Sequence, residues 1–195
     1  MSRLLLILTA TLALAASAGA QTTTWQIDPN HTAAQFSVRH LGISTVRGAF
    51  TKVSGSVTYD PANPGKTSID VTIDASSVDT RVKMRDNDLR SPNFFDAAKF
   101  PTLAFKSKHT EANGAGKLKV TGDLTIHGVT KEVVLDVDGP SAPVKDPRGN
   151  LHMGASAATK INRQDFGVSA DKGMVGDGIP ITIDVELVQS PPPAK

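Results

Sequence analysis

Apolar and polar residues alternate with a period of two through most of this chain, a pattern that suits half-buried β-strands and little else. Ala34, Phe36, Val38 and His40 fall on one face, with Gln35, Ser37 and Arg39 on the other. Ile69, Val71, Ile73 and Ala75 repeat the pattern against Asp70, Thr72 and Asp74. The same period runs through Leu103–Phe105–Ser107, Leu118 to Ile126, Val133–Leu135–Val137, Met153 to Ile161 and Ile181 to Leu187. Val46, Gly48 and Phe50 are even-numbered, yet Val53, Gly55, Val57 and Tyr59 are odd. The phase slips near Thr51–Lys52, which predicts a bulge or sharp bend there. Turn signals separate the strands at Pro61–Gly65 and Asn113–Gly116, and His127–Gly128 predicts a tight hairpin. Roughly eight strands joined mostly by short turns favour an antiparallel closed sheet over βαβ units.

Alternation stops between Ser77 and Phe100. Asp79 or Thr80 can cap a helix running to about Arg90, and Pro92–Ala97 fits a second short helix. The expected fold is therefore mainly all-β, with a short helical insert near residues 79–97. Gly139–Asn150, with three prolines, is expected to be a mobile loop, and residues 190–195 a disordered tail.

Residues 1–20 combine Arg3, an apolar run from Leu4 to Ala16 and small residues at Ala18 and Ala20. This predicts a Sec-type signal peptide cleaved after Ala20, and hence a periplasmic or secreted protein. Loss of Arg3 lowers the formal charge from +2 to +1. No later stretch approaches the roughly 18 apolar residues of a membrane helix. The remaining domain, residues 21–189, is long enough to bury a full core without disulfides.

Composition removes several functions. The absence of cysteine excludes thiol nucleophiles, thiolate metal sites and an N-terminal lipid anchor. A near-neutral charge without basic runs argues against nucleic acid as a partner. One Trp, one Tyr and seven Phe are too few for stacking platforms or membrane-barrel girdles. No serine nucleophile elbow appears, and no histidine pair has the spacing that puts two metal ligands on one helix face. The expected catalytic and metal sites are therefore none. His40 continues an apolar face, so it is either a hydrogen-bonded core histidine or a polar group facing a cavity. Arg81 and Arg85, four apart, belong either to a solvated helix or to one helix face that meets an anionic head group at the barrel mouth. Several inward positions are small (Ala34, Gly48, Gly55, Ala75, Gly122, Ala155 and Ala157), which tilts the expectation towards an open interior.

Nine short strings, in order, carry a family resemblance. They run from Trp25-x-Ile27-Asp28-x-x-His31 and Phe36-x-Val38-x-His40 through Val46-x-Gly48-x-Phe50 and Gly55-x-Val57-x-Tyr59-Asp60. Arg85-Asp86-x-x-Leu89, Asn93-Phe94-Phe95-Asp96, Phe100-Pro101-x-x-x-Phe105, Gly122-Asp123-Leu124-x-Ile126-x-Gly128-Val129-Thr130 and Arg163-x-Asp165-Phe166-Gly167 complete the set. Together they resemble the YceI-like, polyisoprenoid-binding family over nearly the whole chain. The resemblance implies an eight-stranded antiparallel lipocalin-like barrel with a hydrophobic tunnel for a long-chain isoprenoid, such as a polyprenyl or isoprenoid-quinone lipid. It further implies a periplasmic setting, a homodimer in many members, no catalytic activity and no cofactor beyond the bound lipid.

Inward faces and motif positions nominate Phe36, Val38, His40, Phe50, Val57, Ile69, Val71, Ile73, Arg81, Arg85, Leu89, Phe94, Phe95, Phe105, Leu124, Leu135 and Phe166 as ligand contacts. Two alternatives stand beside the carrier. A lipid-modifying enzyme would have to use His40 with Asp86 or Asp165. A structural or interaction module would have a solid core.

Overall fold

The computed structural model describes residues 23–190; the signal-peptide expectation for residues 1–20 and residues 191–195 of the expected tail lie outside them. In chain order the elements are β1 (Thr23–Ile27), β2 (Ala33–His40), β3 (Ser44–Phe50), β4 (Val53–Tyr59), β5 (Ser68–Asp74), β6 (Val78–Asp79), α1 (Lys83–Arg90) and β7 (Thr102–Ala112). There follow β8 (Lys117–Ile126), β9 (Val129–Asp138), β10 (Val144–Lys145), β11 (Leu151–Asn162) and β12 (Gly178–Gln189).

All named strand pairs are antiparallel, and several short strands are halves of longer ones. β12 pairs with β1 at Ile27↔Leu187 and with β2 at Phe36↔Ile181. β4 lies on β1 while β3 lies on β2. β5 lies on β4 while β6 lies on β3. Three barrel strands are thus broken at neighbouring places, and β7, β8, β9, β11 and β12 supply the other five. The sheet closes where β11 pairs with β12 from His152↔Val188 to Asn162↔Gly178. The result is the eight-stranded antiparallel barrel expected from the alternation.

The phase slip at Thr51–Lys52 is the break between β3 and β4. At this corner the backbone leaves the ladder, so its polar groups need other partners. Ser77 Oγ accepts from the Lys52 N–H (3.2 Å), and Lys52 O accepts from the Asp74 N–H (3.0 Å). The His127–Gly128 hairpin also forms, with φ of 52° and 75°, the left-handed pair that a two-residue turn of this hand requires.

The insert differs from expectation. α1 begins at Lys83, not at Asp79 or Thr80. Arg81 has φ of 65°, and the Asp79 carboxylate accepts its N–H at 2.7 Å, forming a turn that delays the helix. Pro92–Ala97 is a run of turns instead of a helix: Phe95 N–H donates back to Leu89 O, and Asp96 has φ of 46°. The segment Gly139–Asn150, predicted to be loop throughout, contributes β10, paired with β11 at Val144↔His152. Ser190 at the end of the described chain donates its N–H to Thr24 O (3.0 Å).

Candidate ligand-binding cavity

Alternation on every barrel strand sends one set of side chains inward. Ile69, Val71 and Ile73 come from β5, Leu124 from β8, Val133, Leu135 and Val137 from β9, Ala155 and Ala157 from β11, and Ile181, Ile183, Val185 and Leu187 from β12. These line a cavity of about 230 Å³ in which no polar atom is exposed. An apolar cavity of ~150 Å³ already stays dry and binds benzene. Many inward residues, Phe36, Val71, Ile73 and Ile183 among them, are only partly buried although they face the core. The surface they leave uncovered faces the cavity they line. A solid core would have covered it.

Fourteen of the nominated contacts line this cavity: Phe36, Val38, Phe50, Val57, Ile69, Val71, Ile73, Leu89, Phe94, Phe95, Phe105, Leu124, Leu135 and Phe166. The insert supplies Leu89, Phe94 and Phe95 as a cover. Phe95 meets Phe50 edge-on at 5.3 Å between ring centroids, and Phe50 meets Phe36 at 5.8 Å. At the same end of the barrel, the β11–β12 connection contributes Phe166, Val168 and Val175. The 3-10 turn Arg163–Phe166 ends at Gly167 with φ of 76°.

Three nominated residues do not line the cavity. His40 stands exposed at the end of β2, where the inward face has run past the barrel wall, so it is neither a core histidine nor a cavity group. Arg81 lies before α1 and does not share a helix face with Arg85. Arg85 donates through Nε to Thr80 Oγ1 and through Nη2 to Thr80 O, both at 2.8 Å. Asp86, buried behind it, accepts from the Thr80 N–H (2.8 Å) and hydroxyl. This pair of motif residues ties the insert to the end of β6.

The small inward residues do not all leave volume. A Cβ on Gly48 would stand 2.6 Å from the Phe36 ring, and one on Gly122 2.5 Å from the Phe105 ring. Gly55, with φ of 141°, lies too close to the backbone of Asp70 for any side chain. Those glycines admit a ring or a neighbouring strand, and it is Ala34, Ala155 and Ala157 that border open space.

Arg163, Val168, Val175 and Ile179 also line the cavity but were not nominated. Ile179 continues the inward phase of β12, whereas Arg163, Val168 and Val175 sit in a connection without period-two alternation, so only chain topology brings those three inward. Arg163 is the one ionisable side chain among the described lining residues. It is buried, and its guanidinium donates to the carbonyls of Val168, Ala170, Val175 and Gly176 at 2.8–3.1 Å. Its Nη2 lies 3.3 Å from Asp177 Oδ1.

A polar cluster forms on the outer wall at the β1–β2 break. His31 Nδ1 pairs with Asp28 Oδ2 (2.8 Å), His152 Nδ1 with Glu186 Oε1 (2.7 Å), and His152 Nε2 faces Asp146 Oδ2 (3.3 Å). Hydrogen bonds to these carboxylates raise both imidazole pKa values above the ordinary range. The His31 bond lowers Asp28, and the Asn150 amide holds Asp146 down at about 2. Asp28, His31 and Glu186 place ligand atoms within 4.8 Å of one another, but mutual hydrogen bonding and ion pairing account for the arrangement.

Residues 25–187 match the family described as YceI-like domain. Protein YceI of Escherichia coli O157:H7 is 38% identical over 159 residues, 82% of each chain. The Campylobacter jejuni YceI protein superposes with a TM-score of 0.69 at 37% identity, covering 78% of this chain and 90% of that one. A polyisoprenoid-binding domain from Saccharophagus degradans shares the fold, with a TM-score of 0.62 at 16% identity over 88% of this chain and all of that one.

Proposed function

The chain belongs to the YceI-like family, and on that footing we propose that it is a periplasmic or secreted carrier that holds a long-chain isoprenoid lipid inside the barrel. The observation that carries this reading is the cavity inside the barrel, onto which no polar atom is exposed. Burial of a methylene-sized group contributes about 0.8 kcal/mol, so each five-carbon isoprene unit taken from water is worth on the order of 4 kcal/mol. Such a chain cannot cross an aqueous compartment without a closed apolar container. The polyisoprenoid-binding description of the Saccharophagus domain supports the same ligand class. The export signal read in residues 1–20 supports the compartment, and no described helix is long and apolar enough to cross a membrane.

An enzymatic reading has less support. Its candidate set was His40 with Asp86 or Asp165, and none of the three lines the cavity. Arg163, which does, spends its donors on backbone carbonyls.

The test is mass spectrometry of an organic extract of protein purified from a periplasmic fraction, before and after incubation. An isoprenoid recovered unchanged is the expected result. Its conversion favours an enzyme, and an extract without lipid that also cannot be loaded with a polyprenyl probe favours a solid-core module. Sedimentation of the loaded protein reports whether it forms the homodimer that the family resemblance implies.

A further inference from the structure

β9 is a full partner to one neighbour and a brief partner to the other. It pairs with β8 from Val129 to Asp138, but with β11 only at Asp136, Val137 and Asp138. β11 in turn pairs with β12 from His152 to Asn162. Beyond Asp136↔Ala158 the two strands part, and no ladder joins Val129–Leu135 of β9 to Thr159–Asn162 of β11. The turn Arg163–Phe166 comes back against β9 and bounds the break above. The other short seam, β5 on β7 from Asp70 to Asp74, is followed by the insert, whose Leu89, Phe94 and Phe95 face the cavity.

Both sides of the β9–β11 break belong to the cavity wall. Val133 and Leu135 line the cavity from β9, and Thr159 and Ile161 from β11. Backbone N–H and C=O groups without a ladder partner need water in its place, so solvent comes nearest the apolar interior here. Val134, on the outer face of the same stretch, is 43% exposed. A prenyl chain cannot slip between strands whose amides are bonded across a spacing of about 4.8 Å. Between β9 and β11 no ladder bond has to open. The end of the barrel under Phe94, Phe166 and Val168 is instead closed by packed apolar side chains and by the Arg163 hydrogen bonds.

We infer that the break between β9 and β11 is the side door of the cavity, through which the cargo chain enters and leaves across the barrel wall. The inference rests on the carrier reading for the cargo and on strand pairing for the route.

Cross-linking tests it on the mature protein, which has no cysteine of its own. Continuing the register beyond Asp136↔Ala158 sets Val134 against Lys160; neither lines the cavity, and alternation points both outward. Val134→Cys with Lys160→Cys, bridged by a short bis-maleimide, should slow both uptake and release of a fluorescent polyprenyl probe by about tenfold or more. A longer, flexible bridge should slow them less. The equilibrium Kd should stay within about twofold, because entry and exit use one route and the bridge lies outside the cavity. The short bridge between Ala158→Cys and Thr182→Cys, partners across the paired β11–β12 seam, should leave both rates at the wild-type level. So should either single-cysteine variant capped with a monofunctional maleimide. Intact mass identifies the bridged fraction on which rates are read. Unchanged rates in that fraction, or equal slowing by the β11–β12 bridge, overturn the side door while leaving the carrier reading in place. Failure of wild type to bind the probe at all would sink the carrier reading, and the side door with it.

Discussion

Phe36 packs over Gly48, its direct partner across β2 and β3, so closely that a Cβ at residue 48 would stand 2.6 Å from the ring. The second nearest atom, Thr80 Cγ2 at 2.8 Å, closes the other side. Gly48→Ala must therefore move an inner-wall ring that also contacts Phe50. Overpacking of this kind costs about 1–3 kcal/mol. Thermal melting of the delipidated variant should register it as a Tm lower by several degrees. An unchanged Tm would mean that the ring can swing into the cavity without loss.

Val71 lies mid-strand on β5, opposite Phe105, and lines the cavity. Val71→Trp should place the indole in space that ligand would otherwise fill. The delipidated fold should stay within about 1 kcal/mol of wild type, below the roughly 1–3 kcal/mol that overpacking a filled core costs. Binding of a fluorescent polyprenyl probe should fall by tenfold or more, equivalent to about 1.4 kcal/mol. Melting must be done without lipid, since bound ligand stabilises the native state alone. A large loss of apo stability would argue for a filled core.

Arg163 holds the β11–β12 connection through four carbonyls. Arg163→Met would fill similar volume but leave those acceptors unpaired in a buried site. Each unsatisfied buried group costs about 1–3 kcal/mol, so the variant should be strongly destabilised. Limited proteolysis should then cleave first between Val168 and Gly178. Arg163→Lys should not restore protection, because a point ammonium lacks the planar fork that reaches several carbonyls. Full protection in either variant would show that the connection is held by its apolar contacts.

Arg85 directs Nε and Nη2 to Thr80. Arg85→Ala should loosen the insert and weaken binding of a polyprenyl phosphate and of the matching hydrocarbon by the same factor. A loss confined to the phosphate, measured by parallel titrations, would instead place the guanidinium on the head group.

The outer cluster predicts a stability maximum in mildly acidic solution. The His152 pKa is raised by Glu186, so its contribution is complete below the ordinary imidazole value of 6.5 and is lost as pH rises through the folded value. His31, raised by Asp28 but exposed to solvent, acts in the same sense and more weakly. Asp146 acts oppositely: its contribution is complete above 3.8 and is lost as pH falls towards about 2. In a series of melts across pH, His152→Gln should flatten the alkaline decline and keep most of the acid limb, because Asn150 is the larger cause of the lowered Asp146 value. An alkaline limb identical to wild type would exclude His152 as its source.

Much of this molecule follows from period-two alternation, which is a local property of an extended backbone. It assigns Phe36, Val71, Leu124 and Ile183 to the inner wall without knowledge of any partner. Turn chemistry is equally local, which is why His127–Gly128 and the slip at Thr51–Lys52 are readable from the chain alone. Tertiary structure decided everything that depends on which residue lies across. His40 keeps the inward phase but has run past the wall. Gly48 and Gly122 look like gaps in the pattern, yet Phe36 and Phe105 fill them. Asp79 forms a turn where a helix cap was expected, because its carboxylate reaches the Arg81 N–H. Arg163, Val168 and Val175 reach the cavity by loop closure, and closure is set by the eight strands together and by no segment of its own. The open volume is likewise a sum over all the inner side chains, fixed once the barrel closed between β11 and β12.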